Sequence, residues 1–292
     1  MTVSGKKVFV HIGIGKTGST SIQAMMANSS KTLSKEGVFY PTLGHIYFGH
    51  HELALLANQQ NHILALKSRL KALENEFREK EESVLVISTE MLCFSPECVA
   101  KLYGEIFNCY EAKIVFYVRD QISLLPSVYL ENLKNNDANG MAFDEFFQKS
   151  QSAFDFLLRI MNWEKFFGKE NIITRVYDKQ FQRDSCHDFL EAIGLSHLKI
   201  KFKKEHENIS LSPIFSDVLV TLDQDNISSE LRKEAINVFL KISAEHPSPS
   251  SIIMPPQLRA KIRNRYRKSN QNFSNDYLSE AQKTVFLRDA SV

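Results

Sequence analysis

The sequence has little of the residues on which stapled or zinc-bound proteins depend. Only four cysteines, Cys93, Cys98, Cys109 and Cys186, occur among 292 residues, and none forms a C-x-x-C pair. This usage disfavours a disulfide framework, a zinc site and a thioredoxin-type motif. It predicts a reducing, cytoplasmic setting and no structural metal.

An excess of one charge and a long apolar run are also missing. Lys and Arg number 36 and Asp and Glu 34, so the net charge is +2, which disfavours a nucleic-acid partner. No run of about 18 apolar residues occurs, so no transmembrane segment is predicted. The short apolar run near the start predicts a strand rather than a secretory signal.

The chain instead has ordinary globular composition and alternating strand and helix patterns. Apolar residues make up 43% and charged residues 24%. Apolar runs predict strands at 8–12, 84–87, 113–118 and 171–176, and helices are predicted at 19–26, 51–80, 96–108, 121–134 and 153–167. Continuous apolar strands separated by helices predict an α/β fold with a central parallel sheet.

The strand pattern fades after about residue 205, and four helices are predicted beyond it, at 213–223, 228–243, 257–269 and 275–287. We therefore expect one domain over residues 1–292. Residues 1–205 would form its α/β core, and residues 206–292 a helical C-terminal region packed on that core.

Three of the eleven glycines, Gly13, Gly15 and Gly18, fall within six residues between the first strand and the first helix. Glycines at such a turn let backbone N–H groups approach a ligand, and a helix N-terminus adds partial positive charge. Lys16 adds a full charge, and hydroxyls follow at Thr17, Ser19, Thr20 and Ser21. The segment predicts a phosphate or sulfate site; a turn needed only for packing is the alternative.

The glycine spacing matches the Walker A loop, G-x-x-x-x-G-K-[ST], but the lysine is displaced. Ser19 and Thr20 follow Gly18, and Lys16 stands two residues before it. A P-loop nucleotide kinase would need its lysine beside the transferred phosphates. A kinase with an atypical loop therefore stays an alternative, as does a non-catalytic module that binds adenine nucleotides.

The run Gly15-Lys-Thr-Gly-Ser-Thr-Ser21 resembles the phosphosulfate loop of sulfotransferases that use 3′-phosphoadenylyl sulfate (PAPS) as donor. The usual family form is Pro-Lys-Thr-Gly-Thr-Thr-Ser. The resemblance implies a three-layer P-loop-like fold and metal-free sulfuryl transfer to a hydroxyl or amine, with adenosine 3′,5′-bisphosphate (PAP) as product. It also implies that Lys16 acts in catalysis and that residues 15–21 hold the 5′-phosphosulfate.

A second motif lies where another predicted strand ends. Arg119 follows the strand directly and Ser127 comes eight residues later, a spacing similar to the family's 3′-phosphate motif. By that resemblance both residues would bind the donor. Read alone, Arg119 and Asp120 make a surface pair and Ser127 is an ordinary helix serine. The segment Ile87-Ser-Thr-Glu90 resembles the strand end of bacterial sulfotransferases, and the family favours a carbohydrate acceptor.

The acceptor hydroxyl must lose a proton, so a base is needed near the loop. His50 and His51 open the helix after a glycine-containing loop, and Glu90 follows the second strand. We rank His50 first, then His51 and Glu90; the alternative for His50 is a solvent-exposed helix residue. Four histidines fall within residues 45–62, but without cysteine or paired carboxylates they do not predict a metal site.

Overall fold

The computed structural model describes residues 5–59, 61–178, 184–200 and 209–288. The fold is α/β. Within these residues, five strands form one sheet: β1 (Lys7–Gly13), β2 (Val38–Phe39), β3 (Val84–Ser88), β4 (Glu111–Val118) and β5 (Ile172–Val176). All pairings are parallel, and the order across the sheet is β2-β3-β1-β4-β5. The central strand β1 ends at Gly13, directly before the lysine loop.

Helices connect the strands and follow the last of them. In chain order they are α1 (Ser19–Asn28), α2 (Ser30–Lys35), α3 (His51–Ala57), α4 (Ile63–Glu79), α5 (Glu97–Ile106), α6 (Gln121–Asn135), α7 (Phe143–Ser150), α8 (Phe156–Phe167), α9 (Ser185–Ala192), α10 (Ser216–Gln224), α11 (Ser229–Glu245), α12 (Pro256–Tyr277) and α13 (Glu280–Phe286).

Both faces of the sheet are covered, which explains the continuous apolar strands. On one face, Phe9, Val86 and Val115 pack with the buried sides of α1 and α9. On the other face, Phe116 makes edge-on ring contacts with Phe156 of α8 and Phe273 of α12. Burial of both faces is the usual condition of a parallel sheet.

The chain divides into two compact units. Unit 1 comprises Met1–Val118, Phe156–Lys203 and Asn272–Phe286, and contains the sheet. Unit 2 comprises Arg119–Asp155, Lys204–Gln271 and Leu287–Val292. The boundary expected between residues 205 and 206 lies outside the described residues, and the single-domain interpretation stays a prediction.

Two local predictions are wrong, and one strand was missed. The helix predicted over 51–80 is two helices, because α3 ends at Ala57 and α4 begins at Ile63. The helices predicted at 257–269 and 275–287 are instead the continuous α12 followed by the short α13. The two-residue edge strand β2 was not predicted, because two residues carry no periodicity.

Candidate functional site

The lysine loop is held close to its neighbours at two glycines. Gly13 has φ +111°, and a methyl group built on it would lie 2.4 Å from the Glu90 carbonyl oxygen. Gly18 has φ +87°, and a methyl group there would lie 2.2 Å from Ser185 Oγ at the start of α9. Only glycine combines this backbone conformation with such close packing. The glycines therefore fix the path of the loop between β1 and α1.

The loop delivers Lys16 next to the N-terminus of α1. Gly18 is the N-cap of this helix and offers no side-chain oxygen to the first-turn N–H groups, and no acidic residue stands in that turn. These N–H groups have no partner within the helix, and the helix dipole adds partial positive charge. Lys16 lies just before them with φ +64°. The arrangement suits an anion.

The hydroxyls of the loop divide into two groups. Thr17 is buried and donates to the Ile14 carbonyl at 2.5 Å, and the buried Ser19 donates to the same oxygen at 3.3 Å. These two side chains brace the loop. Thr20 is exposed and Ser21 half-buried on the first turn of α1. The hydroxyls best suited to a ligand are therefore those of Thr20 and Ser21.

A carboxylate lies beside this loop. The side chain of Glu90, two residues after β3, is about one quarter exposed. A methyl group on Gly15 would lie 3.6 Å from Glu90 Cγ, in ordinary contact. Gln23, buried on α1, donates from Nε2 to Glu90 Oε2 at 2.6 Å. Glu90 is thereby held against the loop by a residue of the helix that the loop begins.

His51 completes this group. Its Nδ1 lies 2.9 Å from Thr89 Oγ1 and 4.0 Å from Glu90 Oε2. The side chain is 17% exposed, so it is largely enclosed but still in contact with solvent. The structure thus places His51 near Glu90, and Glu90 beside Gly15, which directly precedes Lys16 in the loop.

His50, ranked first as the base, lies in a different environment. It is fully buried, so the alternative of a solvent-exposed helix residue is wrong. The Ser88 N–H donates to His50 Nδ1 at 3.1 Å, and Nε2 lies 3.0 Å from the Pro41 carbonyl, which fixes the proton on Nε2. Burial lowers the pKa of His50 to about 3. With both nitrogens engaged, His50 does not suit proton transfer to or from a ligand.

A second buried histidine supports the same strand end. His11 on β1 is fully buried, and its Nδ1 lies 2.8 Å from Ser88 Oγ. Burial lowers its pKa to about 3. His11 and His50 thus contact Ser88, and His51 contacts Thr89. Three imidazoles hold residues 88–89 and so fix where Glu90 leaves the strand.

Arg119 and Ser127 lie in unit 2. Arg119 directly follows β4, and its Nε donates to Ser123 Oγ at 3.0 Å. Asp120 caps α6 by accepting from the Ser123 N–H at 3.0 Å. Ser123 and Ser127 are four residues apart and share one face of α6. The Arg119 guanidinium therefore lies one helical turn from Ser127, on the same face.

Two further findings concern metals and membranes. Within the described residues, no group of three or more His, Cys, Asp or Glu side chains is placed to hold a metal ion. Across the same part of the chain, every helix is too short or too polar to cross a membrane.

No family model matches the chain. A curated protein from Archaeoglobus fulgidus, described only as uncharacterized, is 25% identical over 191 residues. The match covers 64% of this chain and 52% of that protein, so the chain spans about half the length of this relative.

A crystal structure of a sulfotransferase from Alicyclobacillus acidocaldarius has a TM-score of 0.47 with this chain and 14% sequence identity. The match covers 78% of this chain and 94% of that one. Structural similarity this low gives no information about the activity of the chain, so the activity has to be inferred from the residues of the chain itself.

Two residues of the site escaped the sequence analysis. Gln23 is a polar side chain in the apolar run Ile22-Gln-Ala-Met-Met, and His11 interrupts the apolar strand Val8-Phe-Val-His-Ile. A polar residue within a buried run needs a partner, because an unsatisfied buried polar group costs about 1–3 kcal/mol. That signal was present in the sequence, although it does not reveal the partner.

Proposed function

We propose that the chain is a sulfotransferase that moves the sulfuryl group of PAPS to a hydroxyl, or an amine, of an acceptor. The observation that carries this proposal is the position of Lys16, before the N-terminus of α1 and at the carboxyl end of the central strand, with Glu90 in contact with the same loop. By resemblance the acceptor is a carbohydrate.

During the reaction, negative charge develops on the leaving phosphate, which is the group that Lys16 is proposed to contact. The acceptor oxygen forms a bond to sulfur as the bond from sulfur to the bridging phosphate oxygen breaks. The bonding electrons go to the 5′-phosphate, which leaves as part of PAP. A lysine and preorganised N–H groups stabilise this developing negative charge without reorganising at the moment of reaction.

The acceptor proton is proposed to pass to Glu90. Of the three candidate bases, Glu90 is supported best, because its Cγ lies 3.6 Å from the position that a methyl group on Gly15 would take. Gln23 holds Oε2, and within the described residues no hydrogen bond engages Oε1. His51 ranks second, because it contacts Thr89 and lies near the carboxylate. His50 is reassigned to positioning residues 88–90.

Binding of the 3′-phosphate is proposed for Arg119 and Ser127. The support is the eight-residue spacing and the hydrogen bond from Arg119 to Ser123, which shares a face of α6 with Ser127. An arginine can bind a phosphate with two parallel hydrogen bonds. Arg119→Ala is expected to weaken PAP more than adenosine 5′-phosphate in calorimetry, because a charge-assisted contact contributes about 1.5–3 kcal/mol. Equal losses for both nucleotides would refute the assignment.

The test of the function is transfer of radiolabelled sulfate from PAPS to a panel of glycans, alcohols and amines, in a chelator. We expect labelled product with wild type, and at least about 100-fold less with Glu90→Gln at equal PAP affinity. His51→Asn should lose less activity. If His51→Asn loses more transfer activity than Glu90→Gln, then His51 is the base and Glu90 has the secondary role.

Other outcomes favour the alternatives. Transfer of phosphate from ATP, dependent on magnesium, would make the chain a kinase. Tight PAP binding with no transfer to any acceptor would make it a nucleotide-binding module.

A further inference from the structure

The most exposed of the large apolar side chains that the structure describes lies close in sequence to His51. Tyr47 is 91% exposed and stands between Ile46 and Phe48, each 37% exposed. A bridge between Ile46 and Gly49 closes the turn, with N–H to O distances of 2.9 and 3.4 Å. We call residues 46–48 the aromatic tip.

The backbone conformation of the aromatic tip is unusual. Tyr47 has φ +58°, in the left-handed region that a bulky side chain seldom adopts. Glycine would adopt this conformation without strain. An exposed tyrosine in this position contributes little to the core, so its role has to be sought outside the fold.

The tip is fixed to the residues of the site. Tyr40 donates from its hydroxyl to the Phe48 carbonyl at 2.8 Å. A methyl group built on Gly49 would lie 2.7 Å from His51 Nε2 and 2.8 Å from Gln23 Cδ. Two residues of backbone span at most about 7 Å. The backbone of Tyr47 therefore lies within about 7 Å of Gly49, which packs against His51 and Gln23.

The aromatic tip and its neighbours in sequence offer no charged side chain to a ligand. Residues 41–50 contain no Asp, Glu, Lys or Arg. Burial lowers the pKa of His45, so this histidine is neutral at pH 7. A sulfate or carboxylate of the ligand would find no counter-charge in this segment, so the segment offers an anionic group no charge-assisted contact.

An aromatic ring that is open to water suits a sugar. The C–H face of a neutral sugar ring packs on the ring of a tyrosine, while its hydroxyls stay hydrated on the open side. A wholly apolar acceptor would instead favour an enclosed cavity that buries most of its surface.

We propose that the aromatic tip is an acceptor subsite, at which a neutral sugar ring stacks on Tyr47 and presents a hydroxyl toward Glu90. This inference rests on the proposed function and deepens it. It names an uncharged sugar as the acceptor class, and it assigns Tyr47 to acceptor binding rather than to donor binding or chemistry.

The test uses Tyr47→Gly, with Tyr47→Phe and Leu64→Ala as controls. Leu64 on α4 is 77% exposed and has no assigned role. The probes are neutral disaccharides, a sulfated chondroitin tetrasaccharide and 2-naphthol. Binding is measured by saturation-transfer NMR in the presence of PAP, and KM and kcat by sulfate transfer.

We expect Tyr47→Gly to raise KM for the best neutral sugar at least about tenfold, which corresponds to about 1.4 kcal/mol. The kcat should stay within about twofold and PAP affinity unchanged, because Tyr47 is assigned to acceptor binding and not to donor binding or chemistry. The melting temperature should not fall, because glycine relieves the strained φ. Tyr47→Phe keeps the ring and should behave as wild type, as should Leu64→Ala.

An unchanged KM in Tyr47→Gly would overturn the inference while leaving sulfuryl transfer established. A preference of wild type for the sulfated tetrasaccharide or for 2-naphthol would also overturn it, as would no binding of any neutral sugar. Sugar binding that is lost in Tyr47→Gly, without sulfuryl transfer by wild type, would support the subsite and reject the proposed function.

Discussion

Lys16 is the side chain on which turnover should depend most. Removing a preorganised donor from a developing negative charge costs about 100-fold or more in rate. Lys16→Ala should therefore lower kcat by at least this factor with a fixed acceptor. The matched control is Lys35→Ala, which removes an exposed lysine from the last turn of α2 and should leave kcat unchanged. Equal turnover in both variants would show that Lys16 has no such role.

Gln23 is expected to act through Glu90. A hydrogen bond to a charged group contributes about 1.5–3 kcal/mol, so Gln23→Leu should lower kcat about tenfold or more as the carboxylate loses its position. PAP affinity should be unchanged, and Gln23→Asn should recover part of the loss if the shorter amide still reaches Oε2. A fall in PAP affinity that matches the fall in kcat would instead indicate a general disturbance of α1.

The buried histidines predict a pH-dependent stability. Burial lowers the pKa of His50 from 6.5 to about 3, so below pH 6.5 the unfolded chain binds a proton that the folded chain does not. Stability is therefore full above pH 6.5 and falls as the pH falls toward 3. Between pH 7 and pH 5 this histidine should remove about 2 kcal/mol from the free energy of unfolding.

Urea unfolding of His50→Gln at both pH values checks this. The variant lacks the titrating group, so its deficit relative to wild type should shrink by about 2 kcal/mol at pH 5. His62→Gln, at an exposed position, is the control and should show no comparable change. A constant deficit for His50→Gln would mean that this histidine does not take up a proton on unfolding.

At the scale of elements, the close packing of the lysine loop against α9 depends on Gly18. Gly18→Ala adds both backbone strain at φ +87° and a clash with Ser185. Gly194→Ala separates the two effects, because Gly194 has φ +77° and nothing within 4 Å of the added methyl. Strain alone costs about 1 kcal/mol, so Gly18→Ala should lower stability by more than Gly194→Ala does.

Ser185→Gly supplies the rescue for this comparison. The atoms nearest the added methyl are Ser185 Oγ and Cβ, and glycine removes both. The double variant should recover the part of the loss that exceeds that of Gly194→Ala, as measured by thermal unfolding. If the double variant recovers no stability, the methyl group of Gly18→Ala does not clash with Ser185.

The elements that the sequence predicted best are those with an unambiguous pattern. The predicted strands at 84–87 and 113–118 lie within β3 and β4, and the strand predicted at 171–176 matches β5 to within one residue, because each is rich in apolar and β-branched residues. The helix predicted from residue 257 is expected to end at residue 269, since Ser269, Asn270 and Asn272 favour helix poorly, whereas α12 continues to Tyr277. Phe273 and Ser274 are both buried. The helix therefore continues through them by packing, although local propensity alone would end it there.

In the site, too, some residues could be predicted from the sequence pattern, whereas others depend on packing. The lysine loop was predictable because glycine spacing, a lysine and a strand-to-helix junction occur together in sequence. The ranking of His50 above His51 could not be derived from the sequence with the same certainty, because adjacent histidines at a helix start have identical local signals. Only packing distinguishes the buried His50 from the partly exposed His51.

At the scale of the whole molecule, PAP should stabilise the chain without magnesium. A ligand that binds only the folded state stabilises it by about 2.7 kcal/mol at 100 times its Kd. The melting temperature in a chelator should therefore rise by several degrees. ATP in the same buffer should shift it less, and Lys16→Ala should reduce the PAP shift. Stabilisation by ATP that requires magnesium would favour a kinase.

The strand order also bears on how the chain is made. Lys7 of β1 pairs with Val84 and with Glu111, so the first strand leaves the ribosome long before either neighbour exists. At about 5–20 residues per second, β4 is complete roughly 5–20 seconds after β1. Until then β1 can pair with β3 on one side only, and a nascent chain should not capture nucleotide. Stalled chains of increasing length should acquire protease resistance in β1 only after residue 118 has emerged.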